Sequence, residues 1–187
     1  ISGFNRGAIT RDQFSADMTR IFALAEQTHR QTGGYFDIHH GGTTDPSGIV
    51  KGWAIYQAAE ILWERGFQNF YVDAGGDIQV VGSNAQGEPW RVGIRNPRVP
   101  EQAIAMVDLH AGGIASSGDY ERYMEVDGQR YGHILHPLTG WPVRGLSAGS
   151  VSAPQCLTAG SAPPGALPTG AAGPGTRPHR GAPPPRV

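Results

Sequence analysis

The chain has 187 residues, 39% of them hydrophobic, and a formal net charge of −1. That length suits one domain, or one domain with a small lobe, and the charge gives no electrostatic case for a nucleic acid or an anionic membrane surface as partner. The only cysteine is Cys156, which excludes an intrachain disulfide and a cysteine-based zinc site, and no apolar run approaches the ~18–20 residues of a membrane span.

The N-terminus shows no signal-peptide pattern, and a chain that starts at Ile1 reads as the inside of a longer protein. Thr10-x-x-Gln13 reads as a capping box. Phe14, Met18, Ile21, Phe22 and Ala25 follow at helical spacing, and Gly33-Gly34 ends that helix. A second helix is expected from about Ser47 to Arg65, ending at Gly66. The period then changes. Phe70–Val72, Ile78–Val81, Trp90–Ile94 and Ile104–Leu109 are short β-rich runs. Tyr123–Val126 and Gln129–Tyr131 flank Asp127-Gly128, the strongest hairpin signal in the chain. Helices first and hairpin-linked strands afterwards argue for an α+β fold with a largely antiparallel sheet and packed helices. From Gly160 to Val187 the chain turns into a Pro, Gly and Ala-rich run with almost nothing to bury, so residues 160–187 are expected to be a disordered tail.

The second helix opens in an unusual way. Asp45-Pro-Ser-Gly-Ile-Val-Lys51-Gly-Trp53 places Pro46 at the helix start, with Asp45 able to cap it. Gly48 and Gly52 each cost about 1 kcal/mol relative to alanine inside a helix. Lys51 lies near the positive end of the helix dipole, which is mildly unfavourable. One reading covers all three: an anion lies against this N-terminus, approached through the glycines and neutralised by the lysine. The other is close packing beside a solvated lysine.

Three further segments carry possible chemistry. Thr32-Gly-Gly-Tyr-Phe-Asp37 is either a plain helix stop or an aromatic and acidic turn with a binding role. Asp73-Ala-Gly-Gly-Asp77 reads first as a tight turn or bulge between strands. Ala115-Ser-Ser-Gly118 with the downstream Tyr131-Gly-His133 supplies hydroxyls and a histidine able to line a pocket for a phosphate or polar ring. His39-His40 and His133-x-x-His136 are the dense histidine placements. Neither completes a zinc pattern, since strand neighbours point to opposite faces and no His-Glu-x-x-His helix is present.

Taken in order, from about Phe4-Asn5 to about Ala159, these segments resemble the FAD:protein FMN transferase family, the ApbE-like flavin transferases. The resemblance rests on Thr32–Asp37, Asp45–Ala54, Val72–Ile78, Ala115–Arg122 and His133-Ile-Leu-His-Pro-Leu-Thr-Gly140. It implies two subdomains with a flavin cleft between them, and Mg²⁺-dependent transfer of FMN from FAD to a Thr or Ser hydroxyl of an acceptor flavoprotein, with AMP leaving. The acceptor is expected to be a subunit of a redox complex. By the same resemblance Tyr35, Phe36, Asp37 and Asp45 hold parts of FAD, and Lys51 supplies charge to its phosphates. Ser116, Ser117 and Gly118 line the same site, and the carbonyl of Gly48 ligates Mg²⁺. His133 lies by the flavin or phosphates and is the best candidate general base, because histidine titrates in the range that task needs. His136 receives no role.

The departure is at the end. Ser150-Val-Ser-Ala-Pro154 and Cys156-Leu-Thr-Ala159 arrive in register, but Gly160 stands where the family's pattern has a metal-ligating aspartate, and the Pro/Gly/Ala-rich run replaces the helix that carries a threonine ligand. Residues 1–159 are therefore read as a partial transferase domain, and the change at 160 as a shift of reading frame in the gene, with a genuine low-complexity tail as the alternative. Impaired transfer is expected, with an FAD-binding carrier or an FAD pyrophosphatase as the alternatives. Relatives suggest the cell envelope or periplasm, with a cytoplasmic place also open.

Overall fold

A computed structural model describes residues 1–99, 101–118, 123–132, 141 and 148–161. The chain begins with a single turn, α1 (Ser2–Asn5), and a 3-10 turn at Arg11–Gln13. The Thr10 box closes that short turn: Gln13 Oε1 accepts the Thr10 N–H at 2.9 Å. It does not open the long helix, as the sequence suggested, because Phe14 is extended (φ −68°, ψ 140°) and interrupts the path. Helix α2 (Ala16–Gln31) starts one step later at Ser15, whose hydroxyl accepts the Met18 N–H at 3.2 Å. Its expected apolar stripe is real, with Ile21, Phe22 and Ala25 buried. The rings of Phe4, Phe14 and Phe22 meet mostly edge to face, with centroids 4.7–5.6 Å apart.

A small antiparallel pair follows, β1 (His39–His40) and β2 (Thr43–Thr44). The Asn5 side chain ties it to α1: Asn5 Oδ1 accepts the Thr44 N–H at 2.9 Å, and Asn5 Nδ2 donates to the Thr44 carbonyl at 2.8 Å. Helix α3 (Ser47–Glu64) buries Ile49, Gly52, Ile55, Tyr56 and Ala59. It packs against α2, against the sheet described next and against the last helix.

The remaining strands are antiparallel throughout. They are β3 (Phe70–Ala74), β4 (Asp77–Val81), β5 (Trp90–Arg95), β6 (Ala103–Leu109), β7 (Ala111–Gly118), β8 (Tyr123–Val126), β9 (Gln129–Gly132) and β10 (Ala148–Ala153). Four form one sheet in the order β10-β7-β4-β3. Its register sets Ile78 opposite Ile114 and Ser116 opposite Ser150. β5 pairs with β6, and β8 with β9. The second hairpin turns at Asp127 (φ 52°) and Gly128 (φ 73°), as an Asp-Gly pair favours. Helix α4 (Cys156–Ser161) closes the described chain and lies on α3, β7 and β10. The fold is α+β with antiparallel sheets, as the order of elements suggested. α4 includes Gly160 and Ser161, two residues past the compositional boundary; residues 162–187 lie outside the described residues.

Candidate functional site

The expected FAD-contacting turn is built off the last turn of α2. Thr32 Oγ1 accepts the Phe36 N–H at 3.0 Å and donates to the Thr28 carbonyl at 2.8 Å. The His29 ring donates from Nδ1 to the Phe36 carbonyl at 3.0 Å. Asp37 folds back on its own backbone, with Oδ1 accepting the His39 N–H at 2.8 Å. Tyr35 is exposed, while Phe36 packs between the two core clusters under α2 and α3. Asp45 donates its N–H to the Ile38 carbonyl at 2.7 Å, and its Oδ1 accepts the Ser47 N–H at 2.9 Å. The carboxylate thus closes a turn onto the first residue of α3, but the N-cap position is taken by Pro46, one residue later than the Asp-Pro pair suggested.

Lys51 and Asp77 form the polar centre. Lys51 Nζ lies 2.9 Å from Asp77 Oδ2 and donates to the Gly75 carbonyl at 3.4 Å. Asp77 is only 7% exposed, and its Oδ1 accepts the Ser116 N–H at 3.3 Å. Ser116 Oγ lies 2.7 Å from Ser150 Oγ. One chain of contacts therefore links α3, β4, β7 and β10. The Asp73–Asp77 segment is the tight turn its glycines suggested: Gly75 and Gly76 have φ of 61° and 85°, and Asp73 Oδ1 accepts the Gly76 N–H at 2.9 Å. The turn also delivers Asp77 to Lys51. The Lys51 side chain remains 46% exposed, so an anion in solvent can reach it.

The glycines of α3 have a different cause from the one the anion reading gave them. A Cβ on Gly52 would sit 2.9 Å from Leu157 Cα and 3.0 Å from the Cys156 carbonyl. Gly52 is the point at which the α4 backbone crosses α3, and it leaves no room there for a ligand. A Cβ on Gly48 would lie 3.3 Å from the Phe36 ring. Gly113 serves α4 from the sheet side, since a Cβ there would overlap the Cys156 backbone. The Cys156 thiol is fully buried beside the same centre. Burial first, then the charge of Asp77, push it up to about 12, with Lys51 partly opposing.

The structure brings Lys51 and Ser116 together around Asp77, and places Gly48 against Phe36. Ser117 and Gly118 continue β7, opposite Gly149 and Ala148. His133 lies outside the described residues, as does the rest of the segment 133–140. Sequence reading missed Asp77 and Ser150 as members of the site. A signal for Asp77 existed: Asp77 and Gln79 are polar residues two apart on the central strand β4, hence on one face, and both are buried.

The magnesium set implied by the resemblance does not fit this chain. Gly160 offers no side chain, and a Cβ there would lie 3.9 Å from Asp77 Oδ2. Each oxygen of Asp77 already has a protein donor. No Asp or Glu follows Asp127 anywhere in the sequence. Among the described residues no three His, Cys, Asp or Glu side chains gather as a metal site. A hard cation takes several oxygen ligands, and position 160 adds no side-chain oxygen to that of Asp77.

Fold and site together define an α+β domain with a charged corner between a helix start and one end of an antiparallel sheet. Residues 39–164 match the model of the ApbE family, and the chain belongs to that family. It is similar to the FAD:protein FMN transferase of Vibrio cholerae, 38% identical over 117 residues, which cover 62% of this chain and 35% of that protein. The FAD:protein FMN transferase of Treponema pallidum is 31% identical over 175 residues, 84% of this chain and 48% of that one. Among solved structures, the ApbE protein of Thermotoga maritima superposes with a TM-score of 0.74 at 27% identity, covering 80% of this chain and 64% of that one. The flavin transferase ApbE of Vibrio cholerae gives 0.65 at 25% identity, covering 79% and 62%. The first curated relatives it matches are thus spanned over about a third of their length, 35% and 34%.

Proposed function

We propose that this chain is the flavin-nucleotide-binding part of an FAD:protein FMN transferase. The observation that carries the reading is the Lys51 ammonium, fixed by buried Asp77 yet open to solvent, at the start of α3. In the transfer a Thr or Ser oxygen of the acceptor flavoprotein bonds to the phosphorus of the FMN half. The bond from that phosphorus to the bridging oxygen breaks, and AMP leaves with that oxygen. His133 accepts the hydroxyl proton. Transfer between phosphates depends mainly on placement and charge, which Lys51 and the ends of α3 and β7 supply. Magnesium dependence is proposed only for a chain with the full ligand set. This chain is expected to transfer slowly. Acceptors in a redox complex and a place in the cell envelope complete the proposal.

A second reading is an FAD carrier without catalysis, favoured by the incomplete ligand set around Gly160. Incubation with FAD and an acceptor flavoprotein, followed by a denaturing gel, separates them. A fluorescent acceptor band supports transfer. Stoichiometric FAD binding without any AMP supports the carrier, and AMP without a labelled acceptor supports hydrolysis. No FAD binding at all sinks both readings.

A further inference from the structure

We infer that this chain takes a flavin diphosphate at the α3 corner without a divalent cation, with the Lys51 ammonium as the fixed counter-charge, and that the missing side chain at position 160 is the reason. The inference rests on the proposed FAD binding. Three observations lead to it. The first is that Asp77 already has a cation: its Oδ2 lies 2.9 Å from Lys51 Nζ, while Oδ1 accepts the Ser116 N–H. The second is the environment of Gly160. A Cβ there would meet only Ala115 Cβ at 3.9 Å, Asp77 Oδ2 at 3.9 Å and Gly52 Cα at 4.0 Å, which is ordinary contact distance. A Cβ has room there beside Asp77, but glycine brings no side-chain ligand atom to the position. The third is the stretch 128–187, which holds five arginines and no Asp or Glu, so no side-chain carboxylate of that stretch stands in for one at 160.

The Lys51 ammonium, held on one side by Asp77 and open to solvent, can donate a charge-assisted hydrogen bond to a phosphate oxygen directly. The geometry at Gly160 also makes the inference reversible, because a Cβ there meets ordinary contacts and an aspartate adds a second carboxylate next to Asp77, the type of oxygen ligand a hard cation takes.

The test uses the whole chain and its Gly160→Asp variant. FAD binding is titrated by flavin fluorescence in excess EDTA and again in MgCl2. Separately, Mn²⁺ is added to each protein alone and its free signal read by electron paramagnetic resonance. The expected result for the natural chain is an FAD affinity equal within about twofold in the two buffers and no loss of free Mn²⁺ signal. Gly160→Asp should remove Mn²⁺ from solution and make FAD affinity respond to magnesium. Tightening by about tenfold or more with MgCl2 in the natural chain, or stoichiometric Mn²⁺ uptake by it, overturns the inference. A folded Gly160→Asp that takes up no Mn²⁺ overturns the assignment to position 160. No FAD binding in either buffer overturns the flavin reading itself. The Mn²⁺ measurement, made without nucleotide, tells that failure apart.

Discussion

The side-chain carbonyl of Gln79 accepts the backbone N–H of Cys156 at 2.7 Å, and both residues are buried. The central strand of the sheet thereby holds the first turn of α4 through a side chain, across 77 residues of sequence. Gln79→Leu keeps the volume and removes the acceptor, leaving that N–H without a partner in a dry site. A loss of about 1–3 kcal/mol is expected, read as a lower urea midpoint with an unchanged slope.

Gly52, under α4, predicts a contrast with Gly160, the glycine inside it. Gly52→Ala forces a methyl against the Leu157 and Cys156 backbone, which cannot move aside as a flexible side chain would. About 1–3 kcal/mol of stability should be lost. Gly160→Ala meets only ordinary contacts and gains helix propensity, so it should be neutral or stabilising by at most about 1 kcal/mol. Thermal unfolding of the two variants beside the natural chain checks the ordering.

Asn5→Ala should act on the turn that leads into Asp45. It removes both hydrogen bonds to the backbone of Thr44, a residue 6% exposed. The expected cost is about 1–3 kcal/mol, with weaker FAD binding as the Thr44 backbone next to Asp45 loses its anchor. Unchanged FAD affinity in a destabilised variant would detach this turn from the nucleotide.

Alkaline pH should weaken the fold through two buried acids. Burial, then Asp77, raise the Cys156 thiol from 9.0 to about 12. Burial, then the hydrogen bond to Glu60, raise the Tyr56 phenol from 10.0 to about 12. Both groups keep their protons in the folded chain when the unfolded chain has lost them. Their contribution is therefore full below about pH 9 and disappears as pH climbs to about 12. Urea midpoints should be flat on the neutral side and fall across that window. Cys156→Ala should make the early part of the fall shallower. A thiol reagent at neutral pH should react only as fast as the protein unfolds.

Much of this fold was legible because its signals are local. The stripe of α2, the Asp45-Pro46 start of α3 and the Asp127-Gly128 turn each depend on neighbours within a few residues. β7 and β10 were not anticipated as strands, because Ala111-Gly-Gly-Ile-Ala-Ser-Ser-Gly118 and Ala148-Gly-Ser-Val-Ser-Ala153 are small and polar, and weak strand formers by themselves. Their small size is what lets α4 settle on them, a cause visible only in three dimensions. The same holds for Gly52, which looked like an approach route for an anion and proves to be a crossing point between helices. Thr10 and Gln13 misled for a simpler reason: a capping box satisfies a single turn as well as a long helix. The Lys51–Asp77 pair joins residues from two separate motifs, and neither motif alone names the other.

The strand order β10-β7-β4-β3 bears on how the molecule is made. On the ribosome, β7 emerges with β4 already available on one side, while its other edge waits for residues 148–153. Until they appear, that edge is a row of unpaired peptide groups open to any other nascent strand. A transcript cut short before codon 148 should therefore yield chains that stick to one another rather than simply less active ones, and co-expressed chaperones should be found holding them.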